Sequence, residues 1–230
     1  MNSPLATTAI FHLGPVPITT PVAVTWAIMG ALVAGGAVAA RHLSLMPSRF
    51  QATVEIIVEA IDNQIADTMR TAPEPYRALI GTLFLFILFA NWSSLIPGVE
   101  PPTAHIETDA ALALVVFFAA IYHGIRTRGV GGYLKTFAQP SIVMIPLNIA
   151  ETFTRTFSMT VRLFGNIMSG VFVIGVVLSL AGLFVPIPLM ALDLLTGAIQ
   201  AYIFTVLSMV FIGSAVSEDG SSENKERKAA

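Results

Sequence analysis

Five apolar stretches, most of them close to or beyond the roughly 18 residues that mark a membrane-crossing helix, dominate this sequence. They cover residues 21–40 (PVAVTWAIMGALVAGGAVAA), 78–97 (ALIGTLFLFILFANWSSLIP), 110–125 (AALALVVFFAAIYHGI), 141–183 and 186–215. Only 11% of the 230 residues are charged, against roughly 25% in an average soluble domain. The expected fold class is an all-α polytopic membrane protein with about five transmembrane helices. Its net charge of −2 has no bearing on nucleic acid, and without cysteine there is neither a disulfide nor a thiolate metal site. The opening MNSPLATTAIFHLGPVPI has no basic n-region and is not read as a cleavable signal.

Orientation follows from the basic residues. Arg41, Arg49, Arg70 and Arg77 flank the segment between spans one and two, and Arg126, Arg128 and Lys135 lie between spans three and four. Lys225, Arg227 and Lys228 are in the tail, so ten of the twelve Lys and Arg fall on one side. The other side carries Glu100, Glu107 and Asp109. This predicts an integral membrane protein with its N-terminus outside and its C-terminus in the cytoplasm. Residues 50–69 (FQATVEIIVEAIDNQIADTM) are different in kind. Val54, Ile57, Val58, Ile61 and Ile65 share one helical face while Glu55, Glu59 and Asp62 take the other. That pattern predicts an amphipathic helix at the cytoplasmic side, packed on the membrane surface or on a partner. The chain reads as a single membrane domain over 1–215, followed by a polar tail over 216–230 that is expected to be disordered. No internal repeat is evident, which weakens a reading as an inverted-repeat transporter.

The last two spans are too long for an upright crossing. A single helix over residues 144–181 would reach about 57 Å, nearly twice the hydrocarbon thickness of about 30 Å. Crossing once would need a tilt of roughly 60°, outside the usual range of about 0–40°. Either these helices break, with Gly165, Gly170 and Gly175 permitting a bend, or they lie steeply inclined as a hairpin turned at GLFVPIP (182–188). An inclined hairpin can lie across a ring of upright helices.

These two spans also hold the polar residues. Glu151, Arg155, Ser158, Arg162, Asn166 and Ser169 fall at spacings that put them on one face of span four. Span five offers Asp193, Thr196 and Gln200. Two polar stripes in an oily protein point to a hydrated crevice. Plainer readings stand beside this one. Glu151 and Arg155 are four apart and can neutralise each other, and Asp193 and Gln200 can serve as hydrogen-bonding residues inside a bundle. Arg162 resists such a reading. A guanidinium keeps its proton, a central Arg costs at least about 2.5–3.5 kcal/mol on insertion scales, and intramembrane ionisable groups usually mark ion paths. The carboxylate considered for it on its own helix is eleven residues away, so its partner is expected from span five or another subunit.

The residues also carry a likeness. MTVRLFGNIMSG (159–170) followed by IQAYIFTVLSMVFI (199–212) closely resembles the a subunit in the membrane sector of bacterial F-type rotary ATP synthases. LFLFILFANWSSLIPG (83–98) matches that family's second span, and PLNIAETFTRTFS (146–158) its approach to the arginine. The likeness runs in order from about Pro47 to Val216. It implies a stator facing a rotating ring of c subunits, each with a membrane-buried carboxylate, and partners that include the peripheral-stalk b subunit, the remaining ATP synthase subunits and membrane lipid. Two offset half-channels bring ions to the ring and away from it, in the bacterial inner membrane. The arginine between them resembles Arg162, which attracts an unloaded ring carboxylate and blocks a short circuit. Asn166 and Gln200 match residues near that arginine; Asp193, Ser158 and Glu151 are further candidates for the path. His105, Glu107 and Asp109 stand at a possible outer mouth, where an ordinary wet loop is the plainer reading. One departure is evident. Many relatives carry a carboxylate just after the glycine matching Gly170 and pair it with a histidine on the next helix; here those positions are Val171 and Asp193.

No GxxxxGK[ST] loop is present, so the chain alone is not expected to bind or hydrolyse ATP, and no cofactor or catalytic residue is implied. One rival reading is a stand-alone secondary transporter that holds an anion on Arg162. Another is a membrane scaffold in which the polar stripes serve packing alone. Whether the ion is a proton or sodium, and whether ATP is mainly made or consumed, is not readable here.

Overall fold

The computed structural model describes residues 9–13, 16–41, 49–96, 99–137, 145–182 and 184–216. A short antiparallel hairpin, β1 (Ala9–Leu13) and β2 (Val16–Thr19), leads into α1 (Thr20–Arg41). Then come α2 (Arg49–Met69), α3 (Glu74–Trp92), α4 (Ile106–Phe137), α5 (Ile145–Ala181) and α6 (Ile187–Val216). Two single 3-10 turns, Ser93–Leu95 and Pro102–Ala104, fill the link between α3 and α4. Helices α1, α3, α4, α5 and α6 are long and apolar enough to cross a membrane, in keeping with the expected all-helical architecture. The hairpin had no counterpart in the sequence reading, because runs of four or five residues are too short for periodicity to classify. The expected tail, apart from Val216, lies outside the described residues.

Crossing in turn, the spans sort the chain's ends into two sets. A basic end holds Arg41, Arg49, Arg70, Arg77, Arg126 and Arg128; an acidic end holds Glu100, Glu107 and Asp109. Local chemistry marks the boundaries. Pro73 and Pro75 stand at the start of α3 and Pro146 in the first turn of α5, where a missing N–H costs nothing. α4 changes direction at Gly129, whose φ of 72° and ψ of 165° are not helical, and continues to Phe137. α5 runs 37 residues as one helix, about 55 Å at the α-helical rise. It ends at Gly182, whose φ of 76° closes the turn towards α6. Of the two alternatives for the long spans, the continuous hairpin is the one adopted, and the glycines of α5 do not break it.

α6 is the hub. Its Phe204, Met209 and Ile212 meet Ile80, Leu83 and Ile87 of α3, Ala113, Val116 and Ala120 of α4, Met159 and Leu163 of α5, and Ile65 and Met69 of α2 in one apolar core. The sets from α2, α3, α4 and α5 follow the three-and-four spacing of a buried helix face. α1 stands apart, with only Pro21 buried, against α3 and the hairpin.

α2 is amphipathic as expected, but its faces are used unevenly. Ile65 is fully buried and Ile61 packs beside it, whereas Ile57 and Val58 are exposed. Asp62 is not a plain solvent-facing acid: its Oδ1 accepts a hydrogen bond from Arg77 Nε at 2.6 Å, tying α2 to the start of α3. Sequence periodicity assigns a residue to a face without saying what covers that face, which is why this pair was not foreseen.

Ile65→Ala should therefore loosen α2 from the bundle, costing about 2–5 kcal/mol as a buried aliphatic truncation. The same change at Ile56, which is 66% exposed, should stay within about 0.5 kcal/mol. Denaturant unfolding of the purified chain in detergent micelles measures both.

Candidate functional site

The packed seam of α5 is the line Met159, Leu163 and Ile167. The polar residues lie one step round the helix from it. Ser158, Arg162 and Ser169 are exposed and Asn166 is half-buried, so this stripe follows the edge of the bundle. Glu151 and Arg155 form an ion pair at 2.6 Å, the plainer of the two sequence readings. Arg155 also reaches Ser214 Oγ of α6 at 3.4 Å and lies 5.4 Å from the centre of the Phe211 ring. Its charge is accounted for within the chain. Arg162 has no ion pair among the described residues.

Two cavities run along α5, on either side of this arginine. One of about 590 Å³ lies towards the basic end, between Leu147, Glu151, Arg155, Ser158, Arg162 and Leu207. The other, of about 320 Å³, lies towards the acidic end, between Glu100, Ala104, His105 and the α5 residues Met168, Val171 and Ser179. Arg162 borders the first and does not line the second.

α6 presents its polar residues inward. Asp193 and Gln200 are both buried. Asp193 Oδ2 accepts a hydrogen bond from Ser94 Oγ at 3.1 Å. Its other oxygen lies against α5 at Gly170, where a Cβ would stand 2.0 Å from Oδ1. The carboxylate occupies the space that a side chain at 170 would take, so any larger residue there requires Asp193 to turn away. The amide nitrogens of Asn166 and Gln200 are buried and find no hydrogen-bond partner among the described residues. They are the donors left open beside Arg162's stripe.

A second set of polar residues supports α6 from α3. Asn91 Nδ2 donates to the carbonyl of Gly197 at 2.8 Å, and Asn91 Oδ1 accepts from Thr103 Oγ1 at 2.8 Å. Trp92 Nε1 donates to the carbonyl of Leu194 at 3.3 Å. The sequence reading gave no role to Asn91, Ser94 or Thr103. The signal was available, since Asn91 and Ser94 interrupt the apolar run LFANWSSLIP. At the acidic end, His105 Nε2 faces Glu100 at 3.6 Å and Glu107 is exposed, as a wet loop would have them. Asp109 is not in such a loop: it is buried inside the start of α4.

The order of these features along the chain coincides with one protein family. Residues 22–213 match the family described as ATP synthase A chain. The chain belongs to that family. It is 56% identical over 215 residues to the ATP synthase subunit a 2 of Bradyrhizobium sp., covering 94% of this chain and 96% of that one. It is 48% identical over 197 residues to the subunit a 2 of Acaryochloris marina, covering 85% and 84%. With the ATP synthase subunit a of Albidiferax ferrireducens it shares 43% over 204 residues, 88% of each chain. The resemblance to bacterial F-type a subunits thus holds over nearly the whole sequence. The departure at Val171 and Asp193 has a spatial reading: the acid comes from α6 and rests against the glycine that would precede it on α5.

Gly170→Ala should destabilise the α5–α6 contact by about 1–3 kcal/mol through overpacking. Adding Asp193→Ala should recover most of that loss. Unfolding of the two single variants and the double variant would give a coupling of about 0.5–3 kcal/mol.

Proposed function

We propose that the chain is the stator a subunit of an F-type ATP synthase and that it carries protons or sodium ions to and from a rotating c ring through two half-channels. The observation that carries this reading is the position of Arg162: exposed on α5, without an ion pair among the described residues, with one cavity beside it and a second further along the same helix. An ion that enters one of two cavities displaced along one helix needs a carrier to reach the other. A ring carboxylate passing α5 is such a carrier, and a fixed guanidinium gives it a reason to unload.

The roles divide among the named residues. Arg162 pairs with an unloaded ring carboxylate and bars ions from running straight between the cavities. Asn166 and Gln200, with free amide donors, orient that encounter. Ser158 and Glu151 line the cavity at the basic end, which the distribution of Lys and Arg assigns to the cytoplasm of a bacterial inner membrane. Asp193 serves the path from the acidic, outer end, where Glu107 and the His105–Glu100 pair stand at its mouth. The exposed apolar face of α5, with Phe157, Val161 and Phe172, fits the ring's helices. The b subunit and the remaining synthase subunits hold this stator still, and nucleotide chemistry resides in them rather than in this chain.

Each elementary charge crossing 100 mV supplies about 2.3 kcal/mol, so several ions must pass for each ATP made. Ion flow drives rotation in synthesis and is driven by it in hydrolysis. The experiment is ATP-driven ion uptake by vesicles carrying the whole complex. Arg162→Ala should abolish uptake while the complex still assembles; uptake at the wild-type rate would refute the assignment. In the wild type, uptake that collapses with a protonophore and ignores sodium identifies protons. Sodium-22 uptake that survives the protonophore identifies sodium.

A further inference from the structure

Among the described residues, Asp109 is the acidic side chain most completely withdrawn from solvent. It is 0% exposed, and neither carboxylate oxygen has a hydrogen-bond partner among the described residues. It begins a stripe on α4 that continues as Ala113, Val116 and Ala120, all buried, on the side that packs against α5 and α6. The rest of that stripe is small and apolar, so nothing in it answers a carboxylate.

The charged and titratable groups around it are few. On its own segment, Glu107 is exposed and His105 is turned to Glu100. α6 contributes Asp193, another acid, and the half of α5 beyond Ile167 contains no ionisable residue. Asn91 and Thr103 are bonded to each other and to Gly197. No Lys or Arg belongs to this end of the bundle. Burying a carboxyl without a donor or counter-charge is costly, and here the bundle closes over it too completely for a partner subunit's side chain to reach in. Only a small occupant fits that description.

The cavity of about 320 Å³ is walled by Ala104 and His105, and the His105 carbonyl accepts the Asp109 N–H at 3.4 Å. Asp109 does not itself line this cavity; it stands one helical turn along the chain from the cavity's wall. Asp109 is the fourth residue of α4 and Asp193 the seventh of α6, so each acid lies within the first two turns of its helix, at the end of the bundle without Lys or Arg.

We propose that Asp109 is a buried monocation-binding site on the outer branch of the ion path, taking the transported proton or sodium ion from this cavity and exchanging it with Asp193. This rests on the reading of α5 and α6 as the ion path and adds a carrier on a third helix. Glu107 and His105 collect ions at the surface; Asp109 holds one inside.

The test uses the whole complex in vesicles, with Arg162→Ala as a parallel control. Asp109→Asn preserves shape and removes the charge. It should cut ATP-driven uptake about tenfold or more, the scale of a lost proton-transfer group, and shift the outer pH or sodium concentration that gives half-maximal synthesis. Asp109→Glu should restore part of both. A merely structural Asp109 would leave the half-maximal concentration unmoved in every complex that assembles, and that result overturns the proposal. Wild-type uptake in Asp109→Asn alongside none in Arg162→Ala overturns this site while leaving the proposed function intact; wild-type uptake in both sinks the proposed function itself. A second measurement on the unaltered complex guards against failed assembly. A hydrophobic carbodiimide should modify Asp109, detected by mass spectrometry, at a rate that falls as outer pH or sodium is raised. No adduct at Asp109, or a rate indifferent to both, counts against the site.

Discussion

A guanidinium that cannot shed its proton, placed on a membrane helix without a counter-charge among the described residues, is the constraint around which this bundle is arranged. Glu151 neutralises Arg155 one turn from its own position and so leaves Arg162 alone with the difficulty. The chain places that charge at the edge of its packed seam, exposed and bordering a cavity of about 590 Å³. Burial would have required an acid beside it, and the chain supplies none there among the described residues.

Holding such a charge at a fixed height requires helices that do not slide. Apolar contact is a weak guide for this within lipid, where the surrounding solvent is as oily as the side chains. The fixing contacts here are polar and cross between helices. Asn91 and Trp92 of α3 grasp the backbone of α6 at Gly197 and Leu194, and Ser94 grasps Asp193. At Gly197, a Cβ would come within 3.0 Å of Asn91 Cβ, so the absence of a side chain lets the two helices close. Backbone carbonyls serve well as anchors because their positions follow from the helix itself.

How much of this was legible in the sequence depended on what each signal reports. Length and hydropathy are properties of a segment alone, and the five spans were read from them. Helical spacing reports direction around an axis, and it placed Glu151, Arg155, Ser158, Arg162 and Asn166 in one stripe. Neither signal names the element across the gap. The bond from Asn91 to Gly197 joins residues 106 positions apart, and nothing local distinguishes it from an asparagine facing a crevice. Asp109 was misplaced for a related reason. An acid three residues from the start of an apolar helix reads as the last of the wet loop, and only the packing of α4 against α5 and α6 takes it inside.

The fit of Asp193 against Gly170 ties two positions of different helices together. One supplies the carboxylate and the other supplies the hollow. A side chain added at 170 meets Oδ1 first, so the carboxylate would have to turn away and strain the hydrogen bond that Ser94 makes to its other oxygen. A change on α5 would thus be felt through α6 at the turn that follows α3.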